Sequence, residues 1–262
     1  MARMVICADW DNNAPHLTPE AKAELWASIP AYQRDARTKG IPQLGAGVIY
    51  PIPDDDILVD AFSIPDHWPR GYGLDVGWNR TAVIWMAKNP DTQVKYFYDE
   101  HYRGEADPTV HGAAIRKRGS WIPGRVDPAA RGRNQIDGRN LLKLYRDAIY
   151  GDEDPGLGAR MLHPAKNAVE SGIYDMLIAL STGMLKVMHH RCPNWLAERR
   201  LYRRNERGEV IKKHDHALDA SRYVHGSGEL WLKAKPEAEI ESPVERLIGR
   251  LWDGTGYGWM NS

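Results

Sequence analysis

Four aspartates stand where the ends of predicted elements would bring them together. Asp75 closes the apolar run "YGLD", Asp127 closes the strand-like run "WIPGRVD", and Asp215 and Asp219 open the last predicted helix, "HDHALDASRYVHG". In an open α/β sheet, ligands collect at the carboxyl ends of the strands, and residues four apart share one helical face. Converging carboxylates repel one another, and a divalent cation such as Mg²⁺ or Mn²⁺ relieves that repulsion. Two such ions, about 3.5–4 Å apart, activate water and stabilise the leaving oxygen in phosphodiester cleavage.

Each aspartate also has a purely structural explanation. The two at the strand ends could be turn residues. Asp215 could be only the N-cap of its helix, and Asp219 could pair with Arg222 or Lys213. The joint arrangement, at two strand ends and one helix start, is what favours a metal-binding site.

Two histidines next to Asp215, and a glutamate–tyrosine pair on the preceding helix, are further candidates. His214 and His216 flank Asp215, where each is compatible with a metal ligand, a general base or a surface side chain. We include His216 among the candidate catalytic residues. Glu198 and Tyr202, four residues apart, are expected to form a hydrogen-bonded pair on a basic helix.

The charge of the chain is balanced overall but uneven locally. Among 262 residues, 35 Lys/Arg offset 35 Asp/Glu. Residues 1–70 hold 6 basic and 10 acidic residues, whereas residues 112–150 and residues 186–213 each hold 9 basic and 3 acidic. Basic segments in a neutral chain favour a local surface that binds a polyanion, although a solvated helix surface gives the same pattern. The basic residues that follow Asp127, and that are expected to contact phosphate, are Arg131, Arg133, Arg139 and Lys143.

The order of the predicted elements indicates the fold class. The apolar runs "YGLDV" and "TAVIWMA" form a hairpin, and "QVKYFYDEHYR" is a third strand. Helices and strands then alternate, which predicts an α/β fold whose mixed sheet starts antiparallel and gains parallel strands by crossovers. The later predicted elements are helices at "DPTVHGAAIRKRG", "DGRNLLKLYRDAIY", "NAVESGIYDMLIALSTG" and "PNWLAERRLYRRNERG", and strands at "GRV", "ARMLHPA" and "MLKVMHH".

We expect three parts along the chain. Residues 1–70 form an extension with a helix at "LTPEAKAELWASIP" and strand-like pieces at "AGVIYPI" and "DILVDAF". Residues 71–228 form the main domain, and residues 229–262 form a tail with a short amphipathic helix, "ESPVERLIGRLWD". No apolar run approaches the ~20 residues that span a bilayer, and the first residues lack the apolar region of a signal peptide.

Several site classes are not supported by the sequence. There is no G-x-x-x-x-G-K-[ST] phosphate loop, no G-x-S-x-G and no zinc-ligand spacing. Cys7 and Cys192 have no partner spacing and are expected to be reduced thiols.

Four motifs in this order resemble a known family: "GLDVGWNRTAVIW", "GRVDPAARGRNQIDGRNLL", "HPAKNAVESGIYDML" and "HDHALDASRYV". Together they resemble the C-terminal nuclease domain of the large terminase subunit of tailed bacteriophages, which has an RNase H-like fold. The preceding residues, from Trp10 to Pro53, look like the segment that joins the terminase ATPase motor to the nuclease.

The resemblance implies a DNA endonuclease that cuts concatemeric viral DNA during genome packaging. It implies two Mg²⁺ or Mn²⁺ ions held by Asp75, Asp127 and a third acid, for which Asp215 is favoured and Asp219 is the alternative. The implied DNA-binding residues are Arg80, Arg131, Arg133, Arg139, Lys143, Arg203, Lys212 and Lys213. The implied partners are double-stranded DNA, the ATPase domain, the small terminase subunit and the portal protein, in the cytoplasm of the infected bacterium.

The chain departs from that family in one respect and leaves two other functions open. Because the phosphate loop is absent, we expect no ATPase activity, and the chain is either a shortened form or a separate gene product. Another RNase H-like enzyme, such as a junction resolvase or an RNA–DNA hybrid nuclease, has the same acids. A non-catalytic module that docks to the motor or portal is the third possibility.

Overall fold

The computed structural model describes Trp10 and residues 17–28, 47–131, 140–151 and 161–237. Within these ranges, seven strands form one sheet. The strands are β1 (Leu58–Val59), β2 (Arg70–Asp75), β3 (Thr81–Lys88), β4 (Lys95–Arg103), β5 (Gly124–Val126), β6 (Leu162–Pro164) and β7 (Leu185–Met188). The helices are α1 (Pro19–Ser28), α2 (Asp54–Ile57), α3 (Pro108–Arg116), α4 (Leu141–Tyr150), α5 (Val169–Ser181), α6 (Pro193–Leu201) and α7 (His216–Gly226), with a 3₁₀ turn at Pro128–Arg131.

The sheet is mixed, with the strand order β1-β7-β4-β3-β2-β5-β6. Strands β2, β3 and β4 form an antiparallel meander. Strands β5 and β6 run parallel to β2 on one side, and β7 and β1 run parallel to β4 on the other. The predicted α/β fold with an antiparallel start and parallel additions is confirmed. The carboxyl ends of β2, β5 and β6 lie at the same edge of the sheet.

Helices cover both faces of the sheet, which explains the unbroken apolar run of β3. Apart from its last residue, β3 is buried throughout. Ala82, Ile84 and Met86 pack in one core with side chains of α5, α6 and α7. Val83 and Trp85 point to the opposite face and pack in a second core with side chains of α3 and α4. A strand buried on both sides needs no alternation of polar residues.

A glycine lets helix α7 lie directly on strand β2. A Cβ atom on Gly73 would stand 1.8 Å from the carbonyl oxygen of Ala220 in α7. No side chain fits in that gap, so only glycine permits this approach. The contact brings the first turn of α7 close to the carboxyl end of β2.

The segment before Gly71 contributes to the sheet and to its core. Ile49, Tyr50 and Ile57 are buried in the core beneath α5 and α6, and β1 pairs in parallel with β7. The guanidinium of Arg199 in α6 donates to the carbonyl oxygens of Tyr50 and Ile52, at 3.2 and 2.7 Å. The predicted division of the chain at residues 70 and 228 stays a prediction.

Most predicted elements are present, and three differ. In "AGVIYPI", Val48 forms only an isolated bridge with Arg203. In "DILVDAF", the first residues belong to α2, and the strand is limited to Leu58–Val59. Helix α6 ends at Leu201, earlier than predicted, because Tyr202 takes an extended conformation and is buried in the core at 2% exposure.

The remaining predictions fall partly outside the described residues. Helix α1 matches its predicted range, and Thr18 Oγ1 accepts from the Ala21 N–H at 3.2 Å. Cys192 is a free, buried thiol, as expected, whereas Cys7 and the tail helix "ESPVERLIGRLWD" lie outside the described residues. In the part of the chain that the structure describes, no helix has both the length and the apolar character to cross a membrane.

Candidate active site

Asp75 and Asp127 lie side by side at the carboxyl ends of two paired strands. Asp75 is the last residue of β2 and is 8% exposed. Asp127 directly follows β5, and its N–H donates to the carbonyl of Leu74 at 3.2 Å, which extends the β2–β5 ladder. Asp127 Oδ1 also accepts from the Ala129 N–H at 2.9 Å. The turn role considered for Asp127 is therefore real and coexists with its place beside Asp75.

Asp215 and Asp219 lie at the start of α7, where a lysine ammonium contacts both. Asp219 Oδ1 accepts from Arg222 at 2.9 Å, and its Oδ2 is 3.3 Å from Lys212 Nζ. Asp215 Oδ2 is 3.4 Å from the same Nζ. That oxygen is buried and has no hydrogen-bond partner among the described residues. Lys212, rather than the Lys213 considered from the sequence, is the second cation beside Asp219.

The start of α7 is capped by a residue from another helix. Glu198 Oε2 accepts from the N–H groups of Ala217 and Leu218, at 2.7 and 3.3 Å. Glu198 Oε1 accepts from the Tyr102 hydroxyl at 2.7 Å. The predicted pair of Glu198 with Tyr202 is wrong because Glu198 turns towards α7 and β4. Asp215 makes no capping hydrogen bond, so its carboxylate is left for another contact.

The His216 ring joins Asp75 directly. Its Nδ1 is 2.9 Å from Asp75 Oδ2, and the hydrogen bond with Asp75 raises the pKa of His216. Burial raises the pKa of Asp75, the hydrogen bond from His216 lowers it, and the carboxylates of Asp219 and Asp127 raise it again. Asp75 therefore interacts electrostatically with Asp127 and with Asp219.

The hydroxyl of Tyr223, in α7, interacts electrostatically with Asp75, Asp127 and Asp219. Burial raises the pKa of its hydroxyl, and the carboxylates of Asp219, Asp127 and Asp75 raise it further. Asp219 thus contributes to the electrostatics of both Asp75 and Tyr223. Asp75 lies within electrostatic range of Asp127 and Asp219, and Asp215 lies beside Lys212, which also contacts Asp219.

The donor atoms of this cluster fit a hard divalent cation. All four acids offer carboxylate oxygens, which Mg²⁺ and Mn²⁺ prefer, and the Lys212 ammonium shows that Asp215 and Asp219 already attract a cation. Within the described residues, no three acidic, histidine or cysteine side chains stand close enough together to ligate one ion. Asp75 and Asp219 are instead engaged by His216 and Arg222.

The predicted DNA-binding residues lie on several different elements. Arg80 is exposed in the β2–β3 turn, with its guanidinium 5.2 Å from the Tyr102 ring centre. Lys143 pairs with Asp147 on α4, at 2.6 Å. Arg203 and Lys213 are exposed in the α6–α7 connection, whereas Lys212 contacts the acids. The side chain of Arg131, together with Arg133 and Arg139, lies outside the described residues.

Comparison with known proteins supports the predicted family. A family model described as the terminase RNaseH-like domain matches residues 72–227. The large terminase subunit of Salmonella phage P22 is 32% identical over 240 residues, covering 90% of this chain and 46% of that protein. The large subunit of Enterobacteria phage LP7 is 32% identical over 215 residues, covering 80% and 44%.

A solved structure agrees with the sequence comparisons. The P22 large terminase nuclease domain superposes with a TM-score of 0.63 at 26% identity, covering 74% of this chain and 97% of that one. The chain spans about half the length of the curated relatives it matches. The region that the family model matches contains all four aspartates. The chain therefore belongs to the family of the terminase RNase H-like domain.

Proposed function

We propose that this chain is the nuclease portion of a large terminase, a metal-dependent endonuclease that cuts concatemeric viral DNA during packaging. The observation that carries the proposal is the placement of Asp75 and Asp127 at the ends of two paired strands of an RNase H-like sheet, with the start of α7 joined to Asp75 through His216. A bound divalent cation would offset the mutual repulsion of these carboxylates.

Asp75, Asp127 and Asp219 are the residues that we assign to hold Mg²⁺ or Mn²⁺. When bound, two such ions lower the pKa of a water and stabilise the leaving 3′ oxygen. Asp215 adds negative charge beside Lys212. His216 orients Asp75 through Nδ1, and we assign its Nε2 to accept a proton from the attacking water.

Double-stranded DNA is the proposed substrate. The exposed residues Arg80, Arg203 and Lys213 are assigned to contact its backbone with little base specificity. The ATPase domain, the small terminase subunit and the portal protein are the proposed partners in the packaging motor. The proposed place of action is the cytoplasm of the infected bacterium.

Plasmid cleavage in Mn²⁺ and in Mg²⁺ tests this function. We expect Asp75→Asn and Asp219→Asn each to lower the cleavage rate by at least about a hundredfold, because each removes a charged ligand. Asp215→Asn is expected to cost about tenfold or less. Asp91→Asn, in the exposed β3–β4 turn at the opposite edge of the sheet, is the matched control and should cut normally.

Three results would change the assignment. A larger loss in Asp215→Asn than in Asp219→Asn would make Asp215 the third ligand. Faster cutting of branched DNA or of an RNA–DNA hybrid than of duplex DNA would favour another RNase H-like nuclease. A folded protein that cuts no substrate with either metal would leave the non-catalytic docking function.

A further inference from the structure

The turn that follows Asp75 carries an exposed tryptophan. Residues 76–80 connect β2 to β3, and Trp78 within them is 70% exposed. A tryptophan is usually largely buried because its ring carries a large apolar surface. An indole held in solvent beside a cluster of acids therefore requires an explanation other than core packing.

The main chain of this turn is fixed, although the indole is exposed. The carbonyl of Trp78 accepts from the Glu105 N–H at 2.8 Å. The hydroxyl of Thr81, which is 1% exposed, donates to the Gly77 carbonyl at 3.0 Å. A Cβ atom on Gly104 would stand 2.0 Å from the carbonyl oxygen of Asn79, so the turn packs tightly on the connection after β4. A side chain on a fixed turn loses little conformational freedom when it binds.

Trp78 lies only a short distance along the chain from Asp75. Trp78 is three residues from Asp75, and an extended chain spans at most about 3.6 Å per residue, so their Cα atoms are within about 11 Å. Bases of a duplex strand rise about 3.4 Å each. A nucleotide about three positions from the scissile phosphate is therefore as far from the acids as Trp78 is.

A cationic side chain accompanies the indole. Arg80 is exposed two residues later, and its guanidinium lies over the Tyr102 ring. An aromatic ring beside a guanidinium matches DNA, because an apolar ring can insert at a base step and a guanidinium can contact the phosphate next to it. Neither group requires a particular base, which suits contact with many sequences.

We propose that Trp78 inserts at a base step of the DNA beside the scissile phosphate and packs on a base there, with Arg80 at the neighbouring phosphate. This contact rests on the proposed nuclease function and adds a residue that holds the substrate without touching the reacting atoms. It makes the β2–β3 turn part of the DNA-binding surface through an apolar contact.

Salt-dependent DNA binding tests the contact. Fluorescence anisotropy with a labelled 30-base-pair duplex, at several salt concentrations and without a divalent metal, gives the affinity of the full chain. Trp78→Ala should bind at least about fivefold more weakly with an unchanged salt slope, because insertion of an indole at a base step releases no counterions. Trp78→Phe should keep most of the affinity. Arg80→Gln should lower the salt slope by about 0.9.

Tyr174→Ala is the matched control, since Tyr174 is 62% exposed on α5, and it should bind normally. Unchanged binding by Trp78→Ala, an equal loss in Tyr174→Ala, or a salt slope shifted as in Arg80→Gln would overturn the contact. Urea unfolding shows whether each variant is folded. If Trp78→Ala unfolds at a lower urea concentration than wild type, Trp78→Ser is used in its place.

DNA binding and DNA cleavage are measured separately, because they test the Trp78 contact and the nuclease function independently. A wild-type chain that binds DNA through Trp78 but cuts nothing would refute the nuclease and leave the contact standing. A chain that cuts, with Trp78→Ala binding as tightly as wild type, would refute the contact alone.

Discussion

At the scale of a single residue, Gly73 determines how closely α7 approaches the sheet. The Cβ atom of an alanine there would meet the Ala220 carbonyl oxygen at 1.8 Å, and backbone cannot give way as a flexible side chain can. We expect Gly73→Ala to lower the free energy of unfolding by about 3 kcal/mol or to prevent folding. Urea unfolding measures the loss.

Gly226, at the end of the same helix, is the control for this substitution. Among the residues that the structure describes, a Cβ atom there meets nothing within 4 Å, so Gly226→Ala should change stability by about 1 kcal/mol or less. Equal losses at the two glycines would show that the close contact at Gly73 is not what limits the approach of α7.

The strand-end acids are the residues that the sequence could identify. Asp75 and Asp127 interrupt apolar runs, and local pattern places such residues at strand ends. The relation of Asp215 and Asp219 to Asp75 depends instead on how α7 sits on β2, which follows from the contact at Gly73. Nothing in the local pattern around Glu198 indicates that it reaches the N–H groups of a helix about 20 residues later.

At the scale of elements, two helices are capped by carboxylates from outside. Glu100 of β4 accepts from the N–H groups of Asn194 and Trp195, at 2.8 and 3.1 Å, at the start of α6. Glu198 of α6 does the same for α7. Strand β4 thus positions α6, and α6 positions the helix that carries two of the acids.

Replacing Glu198 or Glu100 by alanine distinguishes an effect on stability from an effect on cleavage. Glu198→Ala and Glu100→Ala should each lower the free energy of unfolding by about 1–3 kcal/mol, because buried N–H groups lose their acceptor. Glu198→Ala should also slow DNA cleavage, since the start of α7 carries Asp219, whereas Glu100→Ala should slow it less. Urea unfolding and plasmid cleavage on the same samples measure both quantities, and equal slowing would count against a positioning role for Glu198.

Helices and strands were predictable from the sequence where apolar residues recur at a regular spacing. The hairpin, the helices α3, α4 and α5 and the last helix all follow from apolar spacing and capping residues. Helix α6 was predicted too long because its charged residues continue a helical pattern beyond Leu201, whereas burial of the Tyr202 ring at 2% exposure ends it. A tertiary contact outweighs helix propensity at that point.

At the scale of the whole molecule, buried histidines make stability depend on pH. Burial lowers the pKa of His225 to about 4, with the nearby charge of Lys95 acting in the same direction and Glu229 opposing it. An unfolded histidine titrates near 6.5, so between pH 6.5 and 4 the unfolded chain binds the extra proton. The free energy of unfolding should therefore lose up to about 1.4 kcal/mol per pH unit from His225 as the pH falls.

The variant His225→Leu isolates this contribution. Buried carboxylates such as Glu100, whose pKa is raised by burial, oppose the trend equally in both proteins. Urea unfolding at pH 7.5 and pH 5.0 should show a smaller loss in His225→Leu than in wild type. Identical pH slopes would mean that His225 takes up its proton over the same pH range in the folded chain as in the unfolded chain.

The two outermost strands of the sheet also affect how the protein behaves at high concentration. In the part of the chain that the structure describes, the last strand on one side is β1, with two residues, and on the other it is β6, with three residues that end in Pro164. Proline has no N–H to donate, and strands this short present few free backbone groups to a second chain. Neither border is a good template for strand addition, so the sheet can remain seven strands wide without growing into intermolecular β-structure.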